Sequence, residues 1–312
     1  MNASAARAFA TPREASRTVR CPRCDESSAS VFRTRDEIAA ELAMRDAFFA
    51  RRLDRHRSHA ELRDLTDVLL GTPADLLRCG PCGILIRDDA PDDEAFRGDR
   101  YERAVLDSLH AVHAAAFREK ERDYRALLRG GARVVEVGSY AGGFLATARQ
   151  WEWDAVGVDI GGDTSRYARA LGFDVRSLPL EKCGFERESF DAVFIWNCFE
   201  QLPEPRVALA EARRILRRSG VLVIRVPDAG FYAHCPRLAP LAYNGLLGWP
   251  HRFGFDAAAL RRMAEEEGFA VERQLRAPAI RPLRDALRSW AREEEAACAF
   301  GWIEGTFRPA PS

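Results

Sequence analysis

The chain has no uncharged apolar run near the roughly 18 residues that a membrane-spanning helix needs, so none is expected and the protein reads as soluble. It has no surplus of either charge: Lys plus Arg number 47 and Asp plus Glu 47. No whole-molecule field therefore draws it to nucleic acid or to an anionic membrane. Lysine is nearly missing, Lys120 and Lys182 standing alone in a basic set that is otherwise arginine. Residues 1–20 are rich in Ala, Ser, Thr and Arg, carry the single acid Glu14 and lack the apolar centre of a secretory signal. They are expected to be a disordered leader on a cytoplasmic protein. The eight cysteines lack the regular spacing of a disulfide framework. Cys21 with Cys24 and Cys79 with Cys82 form two C-x2-C pairs, whereas Cys183, Cys198, Cys235 and Cys298 are solitary. That usage points to a metal in a reducing compartment.

What the chain does have is a glycine turn between two kinds of periodicity. Val134, Val135 and Val137 form a β-branched run suited to a parallel strand covered on both faces, and Gly138 ends it. A helical period takes over from Ala141. Gly138, Gly142 and Gly143 let backbone approach a ligand, while the free N–H groups of the new helix favour polar or negative groups. A second apolar run, Asp154 to Asp159, ends in an acid 23 residues after Glu136, where a doubly wound sheet places a carboxylate for ribose hydroxyls. Ionised Asp159 is acceptor-only and suits that task; a helix cap or a solvated loop acid is the plainer alternative. A dinucleotide enzyme would want G-x-G-x-x-G, but Tyr140 stands where the second glycine should admit a pyrophosphate, which argues against NAD.

Glu136, the Gly138-Ser-Tyr-Ala-Gly142 turn and Asp159 together resemble the cofactor site of class I S-adenosylmethionine-dependent methyltransferases. The resemblance runs from about Tyr101 to the C-terminus. It implies an α/β fold: a doubly wound, seven-stranded, mostly parallel Rossmann-like sheet whose last strand, within Phe300 to Phe307, inserts antiparallel to its neighbours. It also implies S-adenosyl-L-methionine as cofactor, with Glu136, Gly138, Ser139, Tyr140, Gly142, Asp159, Ile160, Leu178, Asn197 and Glu200 as the candidate cofactor-binding residues. The segment Phe190 to Pro205 looks like the post-strand segment of many small-molecule methyltransferases, with Gln201 where the family often has His. Because an amide takes no proton at physiological pH, a base, if the acceptor needs one, must come from elsewhere. The aromatic stretch between Pro227 and His251 reads as a substrate lid and offers Tyr232, His234, Tyr243 and His251 as catalytic candidates.

The paired cysteines Cys21, Cys24, Cys79 and Cys82 read as a structural Zn2+ site in a ribbon-like module over residues 21–95, ahead of a catalytic domain over 96–312. Ile38, Leu42, Phe49 and Leu53, then Leu62, Leu65 and Leu69, predict two amphipathic helices inserted between the pairs. His56 and His59 lie between them and compete as ligands only at the expense of the second pair. Such a module ahead of such a domain also resembles zinc-containing C-methyltransferases that act on nucleotide sugars. Residues 1–71 carry 13 Arg against 11 acids, too balanced for a phosphate-tracking surface. The expectation is thus methyl transfer to a small-molecule acceptor, with an RNA methyltransferase or a non-catalytic cofactor-binding scaffold as rivals. Further along, periodicity predicts one helix over 101–128 with a stripe of Val105, Leu109, Val112, Ala116 and Phe117, a helix over 205–218, and a charged helix over 282–297.

Overall fold

The structure is a computed structural model, and it describes residues 19–27, 29–43, 73–89, 97–98, 100–234, 251–276 and 302–311. A seven-stranded sheet forms its centre, built from β4 (Arg133–Val137), β5 (Asp154–Val158), β6 (Asp174–Arg176), β7 (Phe190–Trp196), β8 (Leu216–Pro227), β10 (Phe269–Arg276) and β11 (Trp302–Pro309). Its order is β10-β11-β8-β7-β4-β5-β6. The strands from β8 to β6 pair in parallel, and β11 runs antiparallel between β8 and β10, as the family resemblance implies.

The apolar runs are continuous because both faces of this sheet are covered. Val135, Val137, Val193, Ile195, Leu222 and Ile224 pack with Leu209, Ala212 and Ile215 of α5 (Pro205–Ile215) and with Leu260 and Met263 of α7 (Ala257–Glu266). Val134, Phe194 and Val223 face the other way, toward Phe117 of α1 (Arg103–Glu119) and Phe144 and Ala148 of α3 (Gly143–Gln150). After β4 the chain moves outward through β5 and β6, with α4 (Gly162–Ala170) between them, then returns to the opposite side of β4 at β7. The carboxyl ends of β4 and β7 therefore flank the topological switch point, where open α/β sheets bind ligands.

A second, smaller sheet comprises β1 (Ser30–Arg33), β2 (Leu76–Arg78), β3 (Leu85–Arg87) and β9 (Phe253–Gly254), all antiparallel in that order. Its fourth strand thus comes from the far end of the chain. Residues 35–43 are helical, and Ile38 and Leu42 pack with Leu76, Leu85 and Ala229. The remainder of the expected insertion, including Phe49, Leu53, His56, His59, Leu62, Leu65 and Leu69, lies outside the described residues, as do residues 1–18 and the expected helix 282–297. No helix among the described residues is long and apolar enough to cross a membrane.

Two helices differ from expectation. The single helix over 101–128 is instead α1 followed by α2 (Glu121–Arg125), broken where Lys120 takes φ −91° and ψ 1°. The break turns α2 so that Tyr124 buries its ring against Phe194, 5.3 Å between centroids, while Lys120 ion-pairs with Glu304 at 3.2 Å. The buried residues of α1 are Leu106, Leu109, Ala114 and Phe117, and Val112 is 57% exposed. This helix is rotated to press His113 onto α3, where a Cβ on Gly143 would lie 2.5 Å from that of His113. The helix over 205–218 ends at Ile215, because Leu216 turns extended (φ −71°, ψ 136°) and pairs with Phe190.

Candidate active site and metal centre

The glycine turn leaves β4 through Gly138, at φ +78°, whose N–H donates to the Val158 carbonyl at 2.7 Å. Tyr140 holds φ +45°, a left-handed backbone that costs a non-glycine residue about 1–2 kcal/mol. That conformation is held through both backbone and side chain. The Tyr140 N–H donates to Asp159 Oδ2 at 2.8 Å, and its ring packs against Tyr101 and His113, with centroids at 6.0 and 5.6 Å. Asp159 Oδ1 accepts from the Gly161 N–H at 2.7 Å and the Thr164 hydroxyl at 3.2 Å. The acid that spacing assigned to a ribose therefore sits at the turn and ties its own loop to it. Gly142, at φ +76°, starts α3. Burial, with His110 nearby, pushes the His113 imidazole down to about 4, so a neutral ring underlies this aromatic cover.

Around the turn lie buried acceptors without hydrogen-bond partners among the described residues: Glu136 Oε2, Ser139 Oγ, Asn197 Oδ1 and both carboxylate oxygens of Glu200. Such groups cost about 1–3 kcal/mol each when unpaired, so their clustering calls for a polar or cationic ligand. Burial drives the Glu136 carboxyl well above the usual range, and the Asp159 charge adds to it. Cys198 stands at the centre. A Cβ on Gly138 would lie 2.6 Å from its Cβ and Sγ, and Glu200, Asp159 and Glu136, in that order after burial itself, raise its thiol pKa. Ile160 is half-buried and Leu178 is 42% exposed, at the loops after β5 and β6, so both offer apolar surface for a flat ring.

Of the lid candidates, Tyr232 and His234 lie on α6 (Ala229–His234), with only their backbone described, and Tyr243 lies outside the described residues. His251 is 5% exposed, and its Nε2 is 3.2 Å from Glu200 Oε1, close but without hydrogen-bond alignment. A carboxylate oxygen can only accept, so the tautomer that suits this neighbour has its proton on Nε2 and a bare Nδ1. Nδ1 is buried with no partner among the described residues.

The four expected metal ligands come together. The sulfurs of Cys21, Cys24, Cys79 and Cys82 all lie within 4.8 Å of one another. The Cys24 to Cys79 separation of 3.5 Å is far beyond the roughly 2.05 Å of a disulfide. It is near the edge of about 3.8 Å expected for a tetrahedron of thiolates at about 2.3 Å from zinc. Both pairs sit in tight turns, with the Gly83 N–H donating to the Cys79 carbonyl at 2.8 Å and the Asp25 N–H to the Cys21 carbonyl at 3.0 Å. The centre is docked on the large sheet's helices: Arg23 reaches Cys82 Sγ at 3.2 Å and Glu266 at 2.5 Å, and Arg206 Nη1 donates to the Arg23 carbonyl at 3.2 Å.

Several residues at this edge escaped the sequence reading. Cys198 looked solitary, and only its place beside the glycine turn gives it a role. Arg252 and the two-residue β9 carried no periodic signal. Arg225 is sandwiched between Trp196 and Trp302, at 4.2 and 3.6 Å from their ring centroids, which a strand pattern does not reveal.

Sheet order and glycine turn define the class: a Rossmann-like, doubly wound α/β domain with its ligand crevice at the switch point. The chain belongs to the methyltransferase-domain family, which it matches over residues 101–274. It is 28% identical over 164 residues to an uncharacterized 37.1 kDa protein in transposon TN4556 of Streptomyces fradiae. That match covers 46% of each chain, so this chain spans less than half the length of that relative. Among solved structures it is similar to S-adenosylmethionine-dependent methyltransferases from Mesorhizobium loti (16% identity, 61% of this chain and 97% of that one, TM-score 0.47) and Archaeoglobus fulgidus (18%, 69% and 97%, TM-score 0.47).

Proposed function

We propose that the protein methylates a small-molecule acceptor from S-adenosylmethionine, with a structural zinc on Cys21, Cys24, Cys79 and Cys82. The observation that carries the reading is the convergence of unpaired buried acceptors, Glu136 and Ser139 from one side and Asn197 and Glu200 from the other, on a turn whose glycine admits close approach. Glu136, Ser139 and the turn's backbone would hold the polar end of the cofactor, Asp159 its ribose, and Ile160 with Leu178 its adenine. Bound there, the cofactor supplies a methyl group that its sulfonium already makes electrophilic. The protein's main task is then to set the acceptor in line. Where the acceptor atom bears a proton, His251 Nδ1 takes it, and Glu200 balances the imidazolium that results.

A neutral overall charge supports a small acceptor over RNA. Asp159→Ala is expected to weaken S-adenosylhomocysteine binding by about tenfold in calorimetry, the loss of one or two charge-assisted hydrogen bonds. Unchanged affinity would remove Asp159 from the site. Incubating the purified protein with methyl-labelled cofactor and fractionated host extract should put label in a small-molecule fraction. Label in RNA would replace this reading with its rival, and binding without any transfer would make the protein a scaffold.

A further inference from the structure

The metal centre and the Glu200–His251 pair are joined by a short, continuous path of backbone. The Cys79 N–H donates to the Ile84 carbonyl at 3.0 Å, which sets the start of β3 against the second cysteine turn. Strand β3 then pairs with β9, Leu85 opposite Gly254 and Ile86 opposite Phe253, and the Arg87 N–H donates to the Arg252 carbonyl at 2.9 Å. Arg252 in turn donates its own N–H to the Glu200 carbonyl at 3.0 Å and its Nε to the Gln201 carbonyl at 3.0 Å. One residue thus grips the short 3-10 turn Phe199–Gln201 that carries Glu200, while its neighbour His251 presents the imidazole to the same carboxylate. The packing follows the same path. Cys21, Cys79, Cys82, Ile84 and Ile86 share one core with Phe199, Phe253 and Phe255, and the Phe199 and Phe255 rings are 5.3 Å apart.

Resting on the methyl-transfer reading of the site, we propose that the four-cysteine centre acts as the anchor that positions His251 against Glu200, with β3 as the arm and Arg252 as the positioning residue. A strand of two residues has too few hydrogen bonds to hold its own register. Its place must come from the strand beside it, and β3 begins three residues after Cys82, directly beyond the turn that the metal would close. Loss of the metal should therefore release β9 and loosen the 3-10 turn before it disturbs β4 and α3, which are built into the large sheet. The module is a wall of the active site and not an arm that captures substrate.

The test uses the full-length protein loaded with zinc. Hydrogen–deuterium exchange is followed before and after the zinc is displaced by a mercurial, and again after the mercurial is removed with thiol and zinc restored. Displacement should speed exchange by about tenfold over 84–88, 251–255 and 199–202, leave 133–150 unchanged, and be reversed on reloading. In the loaded protein Arg252→Ala should open 199–202 while 79–87 stays protected, and Arg252→Lys should restore part of that protection. The ring N–H proton of His251, assigned by its loss in His251→Gln, should be slow to exchange in the loaded protein, fast after displacement and in Arg252→Ala, and slow again in Arg252→Lys. Unchanged protection at 199–202 after zinc loss would confine the metal to local folding. Equal opening over 133–150 would make it a prop of the whole fold, and either result overturns the proposal. Failure of the loaded protein to bind S-adenosylhomocysteine would instead overturn the methyl-transfer reading, while the exchange result stands on its own.

Discussion

Gly138→Ala is expected to weaken S-adenosylhomocysteine binding by about a hundredfold or more, some 3 kcal/mol, the largest loss of any single substitution in the site. Two effects add. Alanine at φ +78° pays about 1–2 kcal/mol for a left-handed backbone. Its Cβ would also fall 2.6 Å from both Cβ and Sγ of Cys198, a contact that no rotamer relieves because one of the atoms is a Cβ. Either the turn retreats from the ligand, or Cys198 moves and takes with it Asn197 and Glu200, the residues that carry unpaired acceptors. The two outcomes are separated by Gly138→Ala combined with Cys198→Gly, which removes the clash and keeps the backbone penalty. Affinity in the double variant should recover by about tenfold. Calorimetry showing Gly138→Ala within about twofold of the parent would mean that no ligand approaches this turn closely, and the assignment of the cofactor site would fall with it.

What could be read in the chain and what could not follows from the range of each signal. The β4 to α3 turn and the position of Asp159 were legible because each is a local pattern: a β-branched run, a breaking glycine, an acid at the end of the next run; the mostly parallel sheet and its antiparallel last strand came only from the family resemblance. The four cysteines were legible because thiolate pairs at that spacing have few other uses, and the structure gathers their sulfurs within 4.8 Å. The break at Lys120 was not, since α1 and α2 share one helical period and only the docking of Tyr124 on Phe194, seventy residues later, tells them apart. The stripe on α1 was misplaced toward Val112 for a similar reason. The rotation of that helix is set by the bare Cα of Gly143 on a neighbouring helix and not by its own sequence. The helix over 205–218 was expected to run too far because the pairing of Leu216 with Phe190, a contact between distant strands, leaves no mark on the local pattern. Strand β9 is two residues long, so alternation cannot identify it, and with it the link between the cysteine module and His251 stayed hidden.

Glu136 should give the protein an unusual dependence of stability on pH. Its carboxyl is buried between strands, and burial first, then the charge of Asp159, holds it well above the ordinary carboxylate range. The folded state therefore keeps a proton that the unfolded chain releases above about pH 4.3. Through the interval between those two values the folded state binds more protons than the unfolded, so stability falls as pH rises, by about 1.4 kcal/mol per pH unit for one proton. The contribution is fully present below the unfolded value and is lost as pH climbs through the folded one. Glu136→Gln keeps the shape, cannot ionise and should flatten this slope, so the variant gains on the parent as pH increases. Its melting temperature should exceed the parent's at pH 8 by about 2–4 °C for each kcal/mol recovered. The same carboxyl links stability to function, because a cationic ligand at the turn favours its ionised form. Binding of S-adenosylmethionine should therefore release a proton, seen as a heat that varies with the ionisation enthalpy of the buffer, and binding of uncharged-sulfur S-adenosylhomocysteine should release less. Glu136→Gln should bind the sulfonium form more weakly and with no buffer-dependent heat. Parallel stability slopes for parent and variant would show that Glu136 is ionised in the folded protein, and the picture of a neutral acid waiting for a cation would have to be given up.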